Sequence, residues 1–173
     1  RDPVVFPFFM SDGWFIRSQL PRRLAEAGAD NLRILTPFGL LDATERLAVD
    51  LTRKAAADRG WSEGETTLIL AAHGSGASRQ PAETAKRTRN AIAASAGFRQ
   101  VRLGFIEEPP HLEQVLTKVE GPSLLLPLFV ARWGHVAGDI PDAVAATGYH
   151  GAVLPPLGTA DAVPDIIAKA LQA

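Results

Sequence analysis

Three residues in this sequence are of types that could hold a divalent metal or move protons: His73, Glu107 and His135. Each follows an apolar run. Thr66–Ala72 leads into His73-Gly74-Ser75-Gly76, Val101–Ile106 into Glu107, and Leu124–Val130 into Ala131-Arg132-Trp133-Gly134-His135. Imidazole binds Fe, Co and Ni divalent ions well, and affinity alone does not choose among them. Its free pKa of about 6.5 also lets it take a proton near neutral pH. A nearby carboxylate such as Glu107 would fix an imidazole tautomer, offset the charge of an incoming ion, or join a proton path. Gly74, Ser75, Gly76 and Gly134 are small enough to let backbone or a flat ligand come close. A lone loop histidine is commonly a solvated or capping residue, and the surface reading holds for Glu108, His111 and His150. Convergence of three suitable groups is what argues for chemistry.

That convergence needs elements to produce it. Gly64 and Gly74 bound the first run, which reads as a buried strand. Pro81 to Ser95 reads as a helix, with proline near its first turn and Gly97 just past its end. Leu112, Val115, Leu116 and Val119 follow the i, i+3, i+4, i+7 spacing of an amphipathic helix. A further helix has Asp139 as N-cap and Pro141 in its first turn, and Ala152–Leu154 and Asp161–Leu171 supply a fourth strand and helix. Strands that alternate with helices and read as continuous apolar runs indicate a parallel sheet covered on both faces. In such a sheet ligands bind beyond the carboxyl ends of the strands. The expected fold class, α/β with a four-stranded parallel sheet, thus brings His73, Glu107 and His135 to one edge.

The sequence also repeats itself. Phe6-Pro7-Phe8-Phe9-Met10 lies 120 positions before Leu126-Pro127-Leu128-Phe129-Val130, and the same offset pairs Leu20-Pro21 with Ile140-Pro141 and Gly28 with Gly148. At an offset of 119, Arg33–Gly39 falls on Ala152–Gly158 and Asp42 on Asp161. The first half then offers a strand over Val4–Met10, a helix ending before Gly28, a strand over Leu32–Leu35, and a helix from Asp42 to about Asp58. Two α/β units follow, 1–64 and 65–173, joined through Arg59–Glu65. The second copy is preceded by about 57 residues, Thr66 to Pro122, that the first lacks. The expectation is a first unit incomplete at its N-terminus.

Composition narrows the function classes. A formal charge of −1 argues against a nucleic-acid binder, which would show a basic face. The longest apolar stretches, Val4–Met10 and Leu124–Ala131, are far shorter than the roughly 20 residues that span a bilayer. Arg1-Asp2-Pro3 lacks the pattern of a signal peptide. With no cysteine in the chain, thiolate zinc sites and iron–sulfur clusters are excluded. The expectation is a cytoplasmic protein whose metal meets imidazole, carboxylate or water.

Taken together, the three motifs resemble those of the sirohydrochlorin chelatases, the class II group that includes cobalt-inserting enzymes of cobalamin synthesis and iron-inserting enzymes of siroheme synthesis. Leu68-Ile69-Leu70-Ala71-Ala72-His73-Gly74-Ser75 is similar to the family's first strand and His-Gly-Ser turn. Gly104-Phe105-Ile106-Glu107, with Pro110 and Leu112-Glu113 following, is similar to its second strand and glutamate. Leu126-Pro127-Leu128-Phe129, Gly134-His135-Val136 and Asp139-Ile140-Pro141 are similar to its third strand, second histidine and helix start. The spacings, 34 from His73 to Glu107 and 28 from Glu107 to His135, also resemble the family's. The resemblance implies two chelatase-like units related by a pseudo-two-fold axis, within one long chain or a dimer of short ones, with a tetrapyrrole between them. It implies His73 and His135 as catalytic and metal-contacting residues and Glu107 as their acidic partner. No tightly bound cofactor is implied; the ion (Co2+, Fe2+ or Ni2+) is a substrate.

Some positions depart from the family's pattern. Gly76 stands where arginine often follows His-Gly-Ser, with Arg79 three residues on, and Trp133 stands where a small residue is common. In the first half Phe15 takes the place equivalent to His135, so this half is a degenerate wall, with Trp14 and Phe15 candidates for the macrocycle face. A substrate with many carboxylates calls for cations. Arg79 and Arg132, beside the two histidines, are the candidates with Ser75 and Gly76, Arg17 is a weaker one, and Lys86, Arg87 and Arg89 read as a solvated helix face. The competing readings are a protoporphyrin ferrochelatase and a non-enzymatic carrier of metal or tetrapyrrole.

Overall fold

A computed structural model of the chain describes residues 3–29, 31–76 and 78–172. Arg1 and Asp2, on which the reading of the chain's start rests, lie outside them. The elements run β1 (Val4–Val5), α1 (Leu20–Glu26), β2 (Arg33–Ile34), α2 (Asp42–Ala57), β3 (Thr67–Ala72), α3 (Gln80–Ser95), β4 (Gln100–Phe105), α4 (Leu112–Leu116), β5 (Ser123–Pro127), α5 (Asp139–Thr147), β6 (Ala152–Val153) and α6 (Val163–Ala170).

The sheet is sorted by side-chain alternation. Four parallel strands lie in the order β4-β3-β5-β6. Successive side chains of a strand point to opposite faces. Leu68, Leu70 and Ala72 of β3 and Leu124 and Leu126 of β5 therefore join one core with α2, α3 and α6, while Ile69, Ala71 and Leu125 join a second core with α4 and α5. Helix α2 fits its face through Thr44, Leu47, Ala48, Thr52, Ala55 and Ala56, all buried at helical spacing. Helix α3 offers Ala82, Thr84, Ala85, Thr88 and Ile92, mostly small side chains that let it lie close to β3 and β4. Each fully buried leucine or isoleucine of β3 and β5 contributes roughly 1.5–3 kcal/mol.

The repeat in the sequence is a repeat of backbone at the strands and the turns that follow them, though Phe15–Gln19 form a π-helical turn where Gly134–Val136 form a 3-10 turn. Val4 pairs with Arg33 and Val5 with Ile34 in a two-stranded parallel sheet, as Leu124 pairs with Ala152 and Leu125 with Val153. The Leu35 N–H donates to the Val5 carbonyl at 2.8 Å, and the Leu154 N–H to the Leu125 carbonyl at 2.8 Å. Gly39 and Gly158 sit in matching 3-10 turns and donate to the carbonyls of Phe9 and Phe129, both at 2.9 Å. Both must be glycine: a Cβ on Gly39 would stand 1.9 Å from the Met10 carbonyl oxygen, and one on Gly158 2.4 Å from the Val130 Cα.

Element ends differ from the sequence reading. Only Val4 and Val5 pair in the run expected to reach Met10, because Pro7 has no N–H to donate and its carbonyl accepts the Phe9 N–H in a turn. Likewise β5 stops at Pro127 rather than Val130, with one more bond from the Leu128 N–H to Ala71. The amphipathic pattern reaching Val119 is helical only to Leu116, and α6 begins at Val163 rather than Asp161. Helix α5 is preceded by Gly138, so Asp139 is its first residue rather than its cap. His111 is half-buried ahead of α4, its N–H donating to Gln114 Oε1 at 3.1 Å, whereas His150 is exposed.

Candidate metal centre

The chain leaves β3 through α3 on one face of the sheet and β5 through α5 on the other, which opens a crevice between their carboxyl ends. His73 follows β3. The parallel ladder continues past the strands, with the Ile106 N–H donating to Ala72 at 3.0 Å and the Glu107 N–H to the His73 carbonyl at 2.9 Å. Glu107 is thereby held beside His73 on the neighbouring strand end. Beyond β5 a 3-10 turn over Gly134–Val136, entered with Gly134 at φ +44°, brings His135 back toward both.

One ligand atom from each of His73, Glu107 and His135 lies within 4.8 Å of the others. The two imidazole rings meet edge to face, 4.5 Å between centroids and at 87°. His73 and Glu107 are exposed and His135 is half-buried, so an ion from solvent can reach the group. Two imidazoles and a carboxylate suit borderline divalent ions.

Second partners fix how the rings present themselves. The His73 Nδ1 lies 2.8 Å from the Gly74 carbonyl and the His135 Nδ1 2.6 Å from Asp139 Oδ2. Both partners accept, so Nδ1 carries the proton in each ring and Nε2 is left for a metal. Of the three roles open to Glu107, setting a tautomer falls to Gly74 and Asp139, which meet the two Nδ1 atoms. Glu108, expected to be merely solvated, accepts the Ser75 N–H at 2.8 Å and so braces the His-Gly-Ser turn.

The two histidines border a cavity of about 300 Å³ whose walls come from both halves, with Phe9, Met10 and Ser11 facing Leu128, Phe129 and Val130. Phe9 and Phe15 stack with ring centroids 5.4 Å apart. Phe129 and His135, their counterparts in the repeat, lie 6.2 Å apart. Four exposed aromatics accompany this region of the sequence: Phe9 (43%), Trp14 (64%), Phe15 (47%) and Trp133 (84%).

The other expected site residues do not gather in the cavity. Arg79, Ser75 and Gly76 line a neighbouring shallow cleft with Ser78, Lys86 and Glu108, and Arg132 is exposed on the loop before His135. Arg17 is engaged by Asp12 at 2.6 Å. Of the helix face read as solvated, Lys86 pairs with Glu83, but Arg87 ties α3 to Asp42 and Glu45 of α2. Sequence reasoning missed Phe9, whose counterpart is Phe129, and the partnership of Asp139 with His135, for which the four-residue spacing was the available signal.

An open parallel sheet with two imidazoles and a carboxylate at its switch point defines a metal-handling α/β protein of the chelatase type. The chain belongs to the CbiX family, whose model matches residues 67–173. It is similar to the CbiX of denitrifying bacteria described as the terminal enzyme for biosynthesis of siroheme, with 42% identity, 98% of this chain and 74% of that one covered, and a TM-score of 0.92. It shares its fold with DR2241 from Deinococcus radiodurans, a multi-domain protein with structural similarity to chelatases (20% identity, 96% and 40% covered, TM-score 0.76). SirB from Bacillus subtilis with Fe3+ has the same fold (14% identity, 98% and 69% covered, TM-score 0.73). No curated protein matches the chain. None of the described helices is long and apolar enough to cross a membrane.

Proposed function

We propose that this chain is an ATP-independent class II chelatase that inserts a divalent metal, Co2+, Fe2+ or Ni2+, into sirohydrochlorin in siroheme or cobalamin synthesis, working in the cytoplasm. The observation that carries this reading is the gathering of His73, Glu107 and His135 within 4.8 Å at the mouth of a cavity walled by both halves of the chain. The relative's role in siroheme synthesis points the same way.

The reaction exchanges two pyrrole N–H protons for one divalent ion. In this reading the Nε2 atoms of His73 and His135 and the Glu107 carboxylate take the ion as it loses water. As the ion passes to the macrocycle, the freed imidazoles and carboxylate accept the two protons and release them to solvent. The phenyl rings of Phe9 and Phe15, with Trp14, offer an apolar surface to the flat macrocycle. Its carboxylates reach out toward the solvent-exposed cations Arg79 and Arg132, beside the Ser75-Gly76 turn.

One observation favours the alternative acceptor. Among the described residues no lysine or arginine lines the cavity, which suits the less acidic protoporphyrin. Insertion of Co2+, Fe2+ and Ni2+ into each macrocycle, followed by the absorption change of the tetrapyrrole, tests both readings. Sirohydrochlorin should be metallated by the wild type and not by His73→Ala/His135→Ala. Activity retained in that double variant would refute the mechanism, preference for protoporphyrin would favour ferrochelatase, and tight binding without metallation would make the protein a carrier.

A further inference from the structure

His73 and His135 are braced by different chemistry. His73 donates its Nδ1–H to a neutral carbonyl next to it in the chain, whereas His135 donates to a carboxylate oxygen of Asp139, 2.6 Å away and one helical turn on. Asp139 is the first residue of α5, after Gly138, and its carboxylate oxygen Oδ2 meets the imidazole. A negative charge at this helix start is also favoured by the helix dipole, which helps hold it in place.

The repeat supplies an independent observation. The position equivalent to His135 is Phe15, and at the same offset of 120 the position equivalent to Asp139 is Gln19. Where the imidazole is absent the carboxylate is absent too. The backbone differs there as well: Phe15–Gln19 form a π-helical turn that runs into α1, whereas His135 lies in a 3-10 turn ahead of the start of α5.

We infer that Asp139 is a positioning residue for metal insertion: it orients the His135 ring, fixes its tautomer with Nε2 toward the point shared with His73 and Glu107, and strengthens that nitrogen as a donor. The inference rests on the chelatase reading. Outer partners of this kind commonly change metal affinity or activity 10–100-fold when removed.

The test is equilibrium Co2+ binding and steady-state insertion on the full chain, comparing the wild type with Asp139→Asn, Asp139→Glu, Asp142→Asn and His135→Ala. Asp139→Asn keeps the shape and loses the charge. It should raise the Co2+ dissociation constant about 10–100-fold, alter the visible bands of bound Co2+, and lower kcat while leaving KM for the macrocycle and the helical circular dichroism unchanged. Asp139→Glu should recover part of the affinity. Asp142 also lies in the first turn of α5, and Asp142→Asn should match the wild type. Wild-type Co2+ affinity in Asp139→Asn, alongside weakened binding in His135→Ala, would overturn this inference alone. Equal loss in Asp142→Asn would overturn it in favour of a general acidic helix start. Unchanged Co2+ binding in His135→Ala would remove His135 from the proposed metal centre, and the inference with it.

Discussion

Replacing Gly74 by alanine should loosen the His73 turn through two separable effects. Gly74 has φ +71°, where a residue with a Cβ is strained by roughly 1–2 kcal/mol. The new Cβ would also stand 2.8 Å from both Cγ and Oε1 of Glu108 and 3.1 Å from the Phe105 Cβ. Phe105 is buried within β4 and cannot yield, so Glu108 must swing away. Doing so breaks its 2.8 Å bond from the Ser75 N–H, a bond to a charged acceptor worth up to about 1.5–3 kcal/mol and less here because water can reach the turn. The sum is about 3 kcal/mol, or a fall in Tm of roughly 6–12 °C for a chain of this size. Because the His73 Nδ1 is tied to the Gly74 carbonyl, Co2+ binding should weaken in parallel. Gly76→Ala is the control, since a Cβ there meets nothing within 4 Å. A double-mutant cycle isolates the contact: in a Glu108→Ala background, Gly74→Ala should cost only the backbone share. Additive effects, or a Gly74→Ala protein as stable as Gly76→Ala, would refute the reasoning.

Two further outcomes follow from the aromatic wall and from the far end of the sheet. Phe9→Ala and Phe15→Ala each remove one member of an exposed stacked pair worth about 0.5–1.5 kcal/mol; KM for sirohydrochlorin should rise up to about tenfold while Co2+ affinity holds, and an unchanged KM would take these rings off the substrate path. Burial pushes the Tyr149 phenol up to about 12 from its ordinary value of 10, against a smaller opposite pull from the Ser123 hydroxyl. The folded state therefore favours the neutral phenol, and the resulting stability is fully present below about pH 10 and is lost as pH rises toward 12. Denaturation of the wild type should show a loss of about 3 kcal/mol across that window that Tyr149→Phe lacks. As Tyr149 is the chain's single tyrosine, tyrosinate absorbance appearing near pH 10 in the folded protein would contradict this.

Much of the arrangement was legible in the sequence because it depends on period and punctuation. Continuous apolar runs at Thr67–Ala72 and Leu124–Pro127 have only one economical home, a strand buried on both faces, and a parallel sheet then forces their carboxyl ends together. That placed His73, Glu107 and His135 on one rim without knowledge of any contact. Strand ends were less legible, since pairing at Pro7 and Pro127 is decided by which donors exist rather than by hydrophobicity. Least legible were hydrogen-bond partners between side chains. Glu107 and Glu108 are the same residue type at adjacent positions, yet one faces the histidines and the other turns back to the Ser75 N–H; alternation along the chain gives them opposite directions, and only the fold says which direction holds the centre.

The repeat separates what the fold demands from what the chemistry demands. Between the two copies the strand register, the turn hydrogen bonds and the glycines at 39 and 158 are kept, because each is set by backbone contact that tolerates no added atom. The side chains at the corresponding loop are not kept: Phe9 with Phe15 in one copy stands where Phe129 with His135 stands in the other. In the proposed reading that inequality divides the work, with the ion held by the lone pairs of His73, Glu107 and His135 on one side of a flat acceptor. Phe9 and Met10 line the same cavity as His73 and His135, so on that reading the first copy supplies apolar surface to the macrocycle while the second supplies the donors.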